Sequence, residues 1–141
     1  MKASLNSGWT FLNQTGKCYK YFSCVLSWSD ALEFCHSVIS NPTSTLASVP
    51  NKVINDFLVT LIDTQVWTGG HLNNGSWAWT DGSSWEFTNW AKGEPSKKED
   101  FIELVFIPPE LDWAWKSGQW NNLKGLRKIP YVCQYDFLSD V

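Results

Sequence analysis

Five of this chain's ten tryptophans, Trp67, Trp77, Trp79, Trp85 and Trp90, crowd into the stretch from Val66 to Ser96. That stretch reads V-W-T-G-G-H-L-N-N-G-S-W-A-W-T-D-G-S-S-W-E-F-T-N-W-A-K-G-E-P-S. Rings of this size at this density are not left in water, so the segment folds on itself or docks on a core. It ends in Glu94-Pro95, a carboxylate on a turn that proline stiffens, with cis and trans bonds both open to it. A rigid aromatic scaffold presenting an oxygen donor suits shallow recognition of a polar ligand. This points to binding, not to catalysis.

A chain of 141 residues is expected to form one domain with a core of its own. A hydrophobic content of 43% excludes general disorder, and a net charge of -3 without a basic cluster argues against nucleic acid as a partner. No apolar run is long enough to span a bilayer. Four cysteines, with acceptor triplets at Asn13-Gln14-Thr15 and Asn74-Gly75-Ser76, point to an oxidising, secreted or extracellular setting and a glycoprotein. Met1 runs into polar residues without a signal peptide, so the N-terminus reads as the edge of a mature fragment.

Trp9–Leu12 and Cys18–Phe22, separated by a segment containing Gly16, predict a β-hairpin. Ser27 and Asp30 form a capping box opening a helix over Trp28–Val38, with Trp28, Ala31, Leu32, Cys35 and Val38 on its apolar face. A second helix is expected over Lys52–Ile62, capped by Asn51, with Val53, Ile54, Phe57, Leu58 and Leu61 inward. Ile102–Phe106, Gln119-Trp120 and Pro130–Gln134 read as strands, and Pro108–Ser117 as a loop. The whole is an α+β domain with two helices first and a loop-rich, mainly antiparallel sheet after.

In order and spacing, these pieces resemble the C-type lectin-like domain over residues 8–136, with 1–7 and 137–141 as flanking termini. The resemblance rests on Cys18-Tyr19-Lys20-Tyr21-Phe22, Trp28 to Cys35, Leu46-Ala47-Ser48-Val49 and Asn55-Asp56-Phe57. It continues through Val66-Trp67-Thr68-Gly69-Gly70, Trp79 to Gly82, Thr88-Asn89-Trp90, Glu94-Pro95-Ser96, Gln119-Trp120-Asn121-Asn122 and Tyr131-Val132-Cys133. It implies a disulfide between Cys35 and Cys133. The family's second bridge would fall near Phe101 and Gly125, where a hydrophobic Phe101 fills the space instead. Cys18 and Cys24, on an extended stretch, would hold their sulfurs about 20 Å apart. One or both are then free, or Cys24 links two copies as a homodimer.

The resemblance also implies a calcium ion bridging protein oxygens and two vicinal hydroxyls of a sugar. Its ligands would be Glu94, Ser96, Glu99, Asn121 and Asn122, which would thereby also bind the sugar. The Glu-Pro form of the motif implies a mannose-type preference. Three departures stand out. Ser96 replaces an asparagine, Asn122 replaces an aspartate, and the loop to Glu99 is about three residues short and carries Lys97 and Lys98. Fewer ligand charges lower calcium affinity, and His71-Leu72-Asn73-Asn74 offers no acidic cluster for an auxiliary ion. The alternative is a calcium-independent module that binds a protein or surface through Trp113, Trp115 and the Lys97-Lys98 loop. In that reading Glu94-Pro95 is only a turn. Catalysis is not expected: His36 and His71 have no nucleophile motif, Glu94 and Glu99 lack a deep cleft, and the cysteines are not spaced for zinc.

Overall fold

The structure, a computed structural model, describes residues 8–137. Strands β1 (Thr10–Leu12) and β2 (Lys17–Leu26) form the N-terminal hairpin. Its turn uses Gly16 at φ 71°, a left-handed conformation that glycine adopts at no steric cost. Helix α1 (Trp28–Ser37) begins where the Ser27 hydroxyl accepts the Asp30 amide proton, and it buries Trp28, Ala31 and Cys35. Strand β3 is the short Thr45–Leu46 segment. Helix α2 (Lys52–Leu61) opens with the Asn51 side chain accepting from the Ile54 amide.

The remaining strands are β4 (Val66–Asn73), β5 (Ser76–Trp79), β6 (Phe101–Leu104), β7 (Trp120–Leu123) and β8 (Ile129–Asp136). The sheet runs β1-β2-β8-β4-β6-β7, with β3 on β8 and β5 on β4. Pairing is antiparallel except between β4 and β8, which are parallel at Trp67 and Tyr131. Successive side chains on a strand face opposite ways, and the two helices use this. Val66 and Val132 join the cluster under α2 that holds Ile54, Leu58, Trp79 and Trp120. Their neighbours Trp67, Tyr131 and Cys133 join the cluster under α1 with Trp28, Ala31 and Cys35.

Cys35 and Cys133 form a disulfide that fastens α1 to β8 across 98 residues of sequence. A loop of that length removes enough denatured-state freedom to stabilise the fold by about 4–5 kcal/mol in the chain-entropy picture. Phe101 lies against Gly125: a Cβ there would sit 2.7 Å from the ring. Cys18 is a buried and Cys24 an exposed free thiol.

Two features differ from the sequence expectation. Val53, expected on the inward face of α2, is 51% exposed, and the buried position beside Ile54 belongs to Asn55. Asn55 is drawn inside by hydrogen bonds: its Nδ2 donates to the Gly118 carbonyl at 2.9 Å and its Oδ1 accepts from Trp120 Nε1 at 2.7 Å. The start of the tryptophan-rich stretch is also more regular than expected, since β4 and β5 form a hairpin. Its turn places Asn74 and Gly75 at φ 51° and 84°, the two-residue geometry that Asn-Gly favours.

Replacing Asn55 with alanine would leave the Trp120 indole N–H and the Gly118 carbonyl without this partner in the core. The expected loss is about 2–3 kcal/mol of unfolding free energy, measurable by urea denaturation. A loss below about 0.5 kcal/mol would show that the pair contributes little.

Candidate functional site

The site grows out of β7. Trp120 is fully buried, and its backbone N–H donates to Asn89 while its carbonyl accepts from Ala91. These two bonds bring the loop that precedes Glu94 to the end of the sheet. Trp79, Trp85, Phe87 and Trp90 surround the Trp120 indole at centroid distances of 5.4 to 5.7 Å. The clustered rings are therefore the wall on which the loop is mounted. The Glu94–Pro95 peptide is cis.

Beyond the wall, Asn122 holds the loop. Its Oδ1 accepts from the Ser96 amide at 2.9 Å, and its Nδ2 donates to the Ser96 carbonyl at 2.9 Å and the Glu99 carbonyl at 2.7 Å. Two carbonyl oxygens on one side of the group require an NH2 there, which fixes the amide's orientation. An aspartate at this position would set a carboxylate against both carbonyls. The sequence reading gives Asn122, through its side chain and backbone, the role of an ion ligand; in this structure its side-chain amide is hydrogen-bonded to the loop, and so positions it.

The other four expected residues lie around this clamp. Glu94, Ser96 and Glu99 are half-buried on the loop, Lys97 and Lys98 are exposed, and the Ser96 hydroxyl lies 3.5 Å from Glu99 Oε1. Asn121 Nδ2 donates to Glu103 Oε2 at 2.8 Å, which leaves its Oδ1 as an acceptor. Thus Glu94 and Glu99 supply two carboxylates, and Ser96 and Asn121 two neutral oxygens. Among the described residues, no three His, Cys, Asp or Glu side chains converge in a way that could hold a metal. Calcium takes six to eight oxygens, so four protein side chains would need water and ligand hydroxyls to complete the shell. The donor set suits a weak calcium site of that kind and no tighter one.

Glu103 is a participant that sequence reading missed. It is only 5% exposed, and among the described residues its Oε1 meets no hydrogen-bond donor. Burial pushes its pKa up to about 7, against the Asn121 hydrogen bond and the attraction of Arg127, with Glu94 and Glu99 adding repulsion. The signal was present: a lone acid between Ile102 and Leu104 in an apolar strand. Beside the site runs an arm between β6 and β7, laddered by Gly118 N–H to the Val105 carbonyl and Ile107 N–H to the Ser117 hydroxyl. At the arm's far end Trp113 is 58% exposed, and Trp115 donates its indole N–H to the Lys92 carbonyl.

The raised Glu103 pKa has a testable sign. The folded state binds this proton more tightly than the unfolded chain does, so the contribution to stability is full below the unfolded value of 4.5. It is lost as pH rises through about 7. In EDTA, unfolding free energy should fall across that window, with a slope of at most about 1.4 kcal/mol per pH unit. Glu103→Gln, which keeps an acceptor for Asn121, should flatten the profile. An unchanged slope in the variant would assign the pH dependence to another group.

The comparisons with known proteins bear on the family and the fold. Residues 25–135 match the family model of the lectin C-type domain. A lectin from Pleurodeles waltl is 33% identical over 128 residues, which cover 83% of this chain and 69% of the relative. Among solved structures, the C-type lectin CEL-I from Cucumaria echinata superposes with a TM-score of 0.76 at 25% identity, covering 93% of this chain and 96% of the other. A calcium-independent type II antifreeze protein superposes with a TM-score of 0.75 at 20% identity, covering 91% of each chain. That last likeness is one of fold alone.

Proposed function

The chain belongs to the C-type lectin domain family, a family of non-enzymatic recognition domains, and from that premise we propose that it binds carbohydrate outside the cell through the Glu94–Asn121 face. The observation that carries the reading is the clamp from Asn122 to Ser96 and Glu99. It holds the Glu94–Glu99 loop against β7, next to Asn121, so that these oxygens share one surface. On this surface Glu94 and Glu99 accept hydrogen bonds from vicinal hydroxyls, and Asn121 Oδ1 and the Ser96 hydroxyl complete a shallow ring of polar atoms. The Glu94-Pro95 motif favours mannose-type hydroxyls. Calcium bound among Glu94, Ser96, Glu99 and Asn121 would draw two of those hydroxyls into its own coordination shell. With two carboxylates, its affinity falls in the millimolar range typical of extracellular modules.

A second reading has its own support. The clamp holds the loop with protein hydrogen bonds alone, and Leu111 and Trp113 stand exposed on the neighbouring arm. A calcium-independent module would use that arm, with Trp115 and Lys97-Lys98, to bind a glycoprotein or another surface. A homodimer through the exposed Cys24 would raise the avidity of either mode.

Calorimetry with calcium, alone and with excess mannose, separates the readings. The lectin reading predicts millimolar calcium binding that tightens with the sugar, and loss of both in Glu94→Ala. Absence of heat in the unmodified protein, or mannose binding unchanged by EDTA and by Glu94→Ala, would overturn the calcium-dependent reading. A Trp113→Ala variant that then loses ligand binding would favour the arm.

A further inference from the structure

A second concave site lies apart from the Glu94 loop, where the two ends of the fold meet. It is a cavity of about 430 Å³ whose lining includes Lys17, His36, Pro42, Thr45, Thr80 and Asp81. Its charged groups are Lys17, Asp81 and Asp136, with Lys17 and Asp136 paired to each other. Two carboxylates disfavour an anion, and the Lys17 ammonium disfavours a bare dication. A lining this rich in hydroxyls disfavours an apolar ligand as well.

What the lining offers is hydrogen-bonding capacity of both signs. Asp81 Oδ2 is saturated by the Ser48 hydroxyl at 2.7 Å, the Ser83 hydroxyl at 2.8 Å and Gln134 Nε2 at 2.9 Å. Its Oδ1 accepts only the Ser83 amide, leaving one acceptor direction open. Although burial works to raise the Asp81 pKa, these hydrogen bonds outweigh it and hold the carboxyl below its usual value, so it is ionised at neutral pH. Thr45 and Thr80 share one hydrogen bond at 2.8 Å, and their lone pairs are not exhausted by it. Lys17 spends one N–H on Asp136, and among the described residues its ammonium has no other protein acceptor. Open acceptors and open donors in one cavity match a ligand whose adjacent groups each donate and accept. A vicinal diol on an uncharged ring has that property.

We propose that this cavity is a second, metal-independent site for a neutral polyhydroxylated ligand, a monosaccharide or a terminal sugar residue. The ring's hydroxyls donate to Asp81 and Thr45 and accept from Lys17, while Pro42 gives its apolar face a place to rest. Such a ligand fits within the usual range of ligand-pocket volumes. The proposal does not depend on the Glu94 face. A chain with both sites could engage two residues of one glycan, or two glycans, without forming a dimer.

The test is titration of Glu94→Ala in EDTA with D-mannose, D-glucose and D-galactose, followed by amide NMR shifts. This background removes calcium and the Glu94 carboxylate, so calcium-dependent binding at the loop does not contribute. Saturable shifts of Thr45, Gly82 and Ser83 at millimolar sugar are expected with at least one of the three. His36→Trp, a change at an exposed helix position that crowds the mouth, should weaken them at least tenfold. Thr45→Val, which removes one hydroxyl while keeping the side chain's shape, should weaken them several-fold. Shifts that stay linear, that are absent with all three sugars, or that survive both variants would overturn the proposal. So would a response to inorganic phosphate that equals or exceeds the response to sugar.

Discussion

The indole of Trp120 is the contact on which both the core and the site depend. It closes the cluster under α2, receives the rings of Trp79, Trp85, Phe87 and Trp90, and satisfies its own N–H through Asn55. An indole buried without such a partner would lose the strength of a hydrogen bond. The polar Asn55 is therefore a requirement of the tryptophan and not a defect of α2. Because Trp120 also begins β7, its fixed position sets where Asn121 and Asn122 emerge one and two residues later. Core packing and site geometry are consequently one problem, solved by one side chain.

The step from Trp120 to Asn122 decides what kind of recognition surface results. An aspartate at 122 would need a cation to hold its carboxylate near the Ser96 and Glu99 carbonyls. The asparagine reverses the local polarity, so that the loop is fastened by hydrogen bonds in which the side chains of Glu94 and Glu99 take no part. Fastening the loop and recognising a ligand become separate tasks. Glu103 beneath them is the strained partner in this arrangement, a buried acid with one oxygen unmet and a pKa lifted to about 7.

Much of this was legible from residue patterns because the local signals agree with the global fold. Ser27, Asn51 and Gly16 announced the two helix starts and the first turn, and the spacing from Trp28 to Cys35 located the face that meets Cys133. Asn74-Gly75 announced a hairpin too, but its strands contain glycine and histidine and were overshadowed by the tryptophans around them. Val53 and Asn55 exchanged their expected places because hydrophobic periodicity does not register a hydrogen bond made across 65 residues of sequence. The same limit applies to the site. The motif names Glu94, Ser96, Glu99 and Asn121 as candidates, but the hydrogen bonds of the Asn122 amide depend on two carbonyls that only the folded loop brings near it. The cavity around Asp81 gathers residues from five separate segments and has no linear signature.

The central claim is that the loop is held by the Asn122 amide and not by a bound ion. Hydrogen exchange at the Ser96 amide in EDTA tests it most directly, since that N–H donates to Asn122 Oδ1. The account predicts exchange at least about tenfold slower than at the exposed Lys97 next to it, a gap of about 1.4 kcal/mol, with little change on adding calcium. Ser96 exchanging as fast as Lys97 until calcium is supplied would contradict it, and would return to the ion the structural role assigned here to an asparagine.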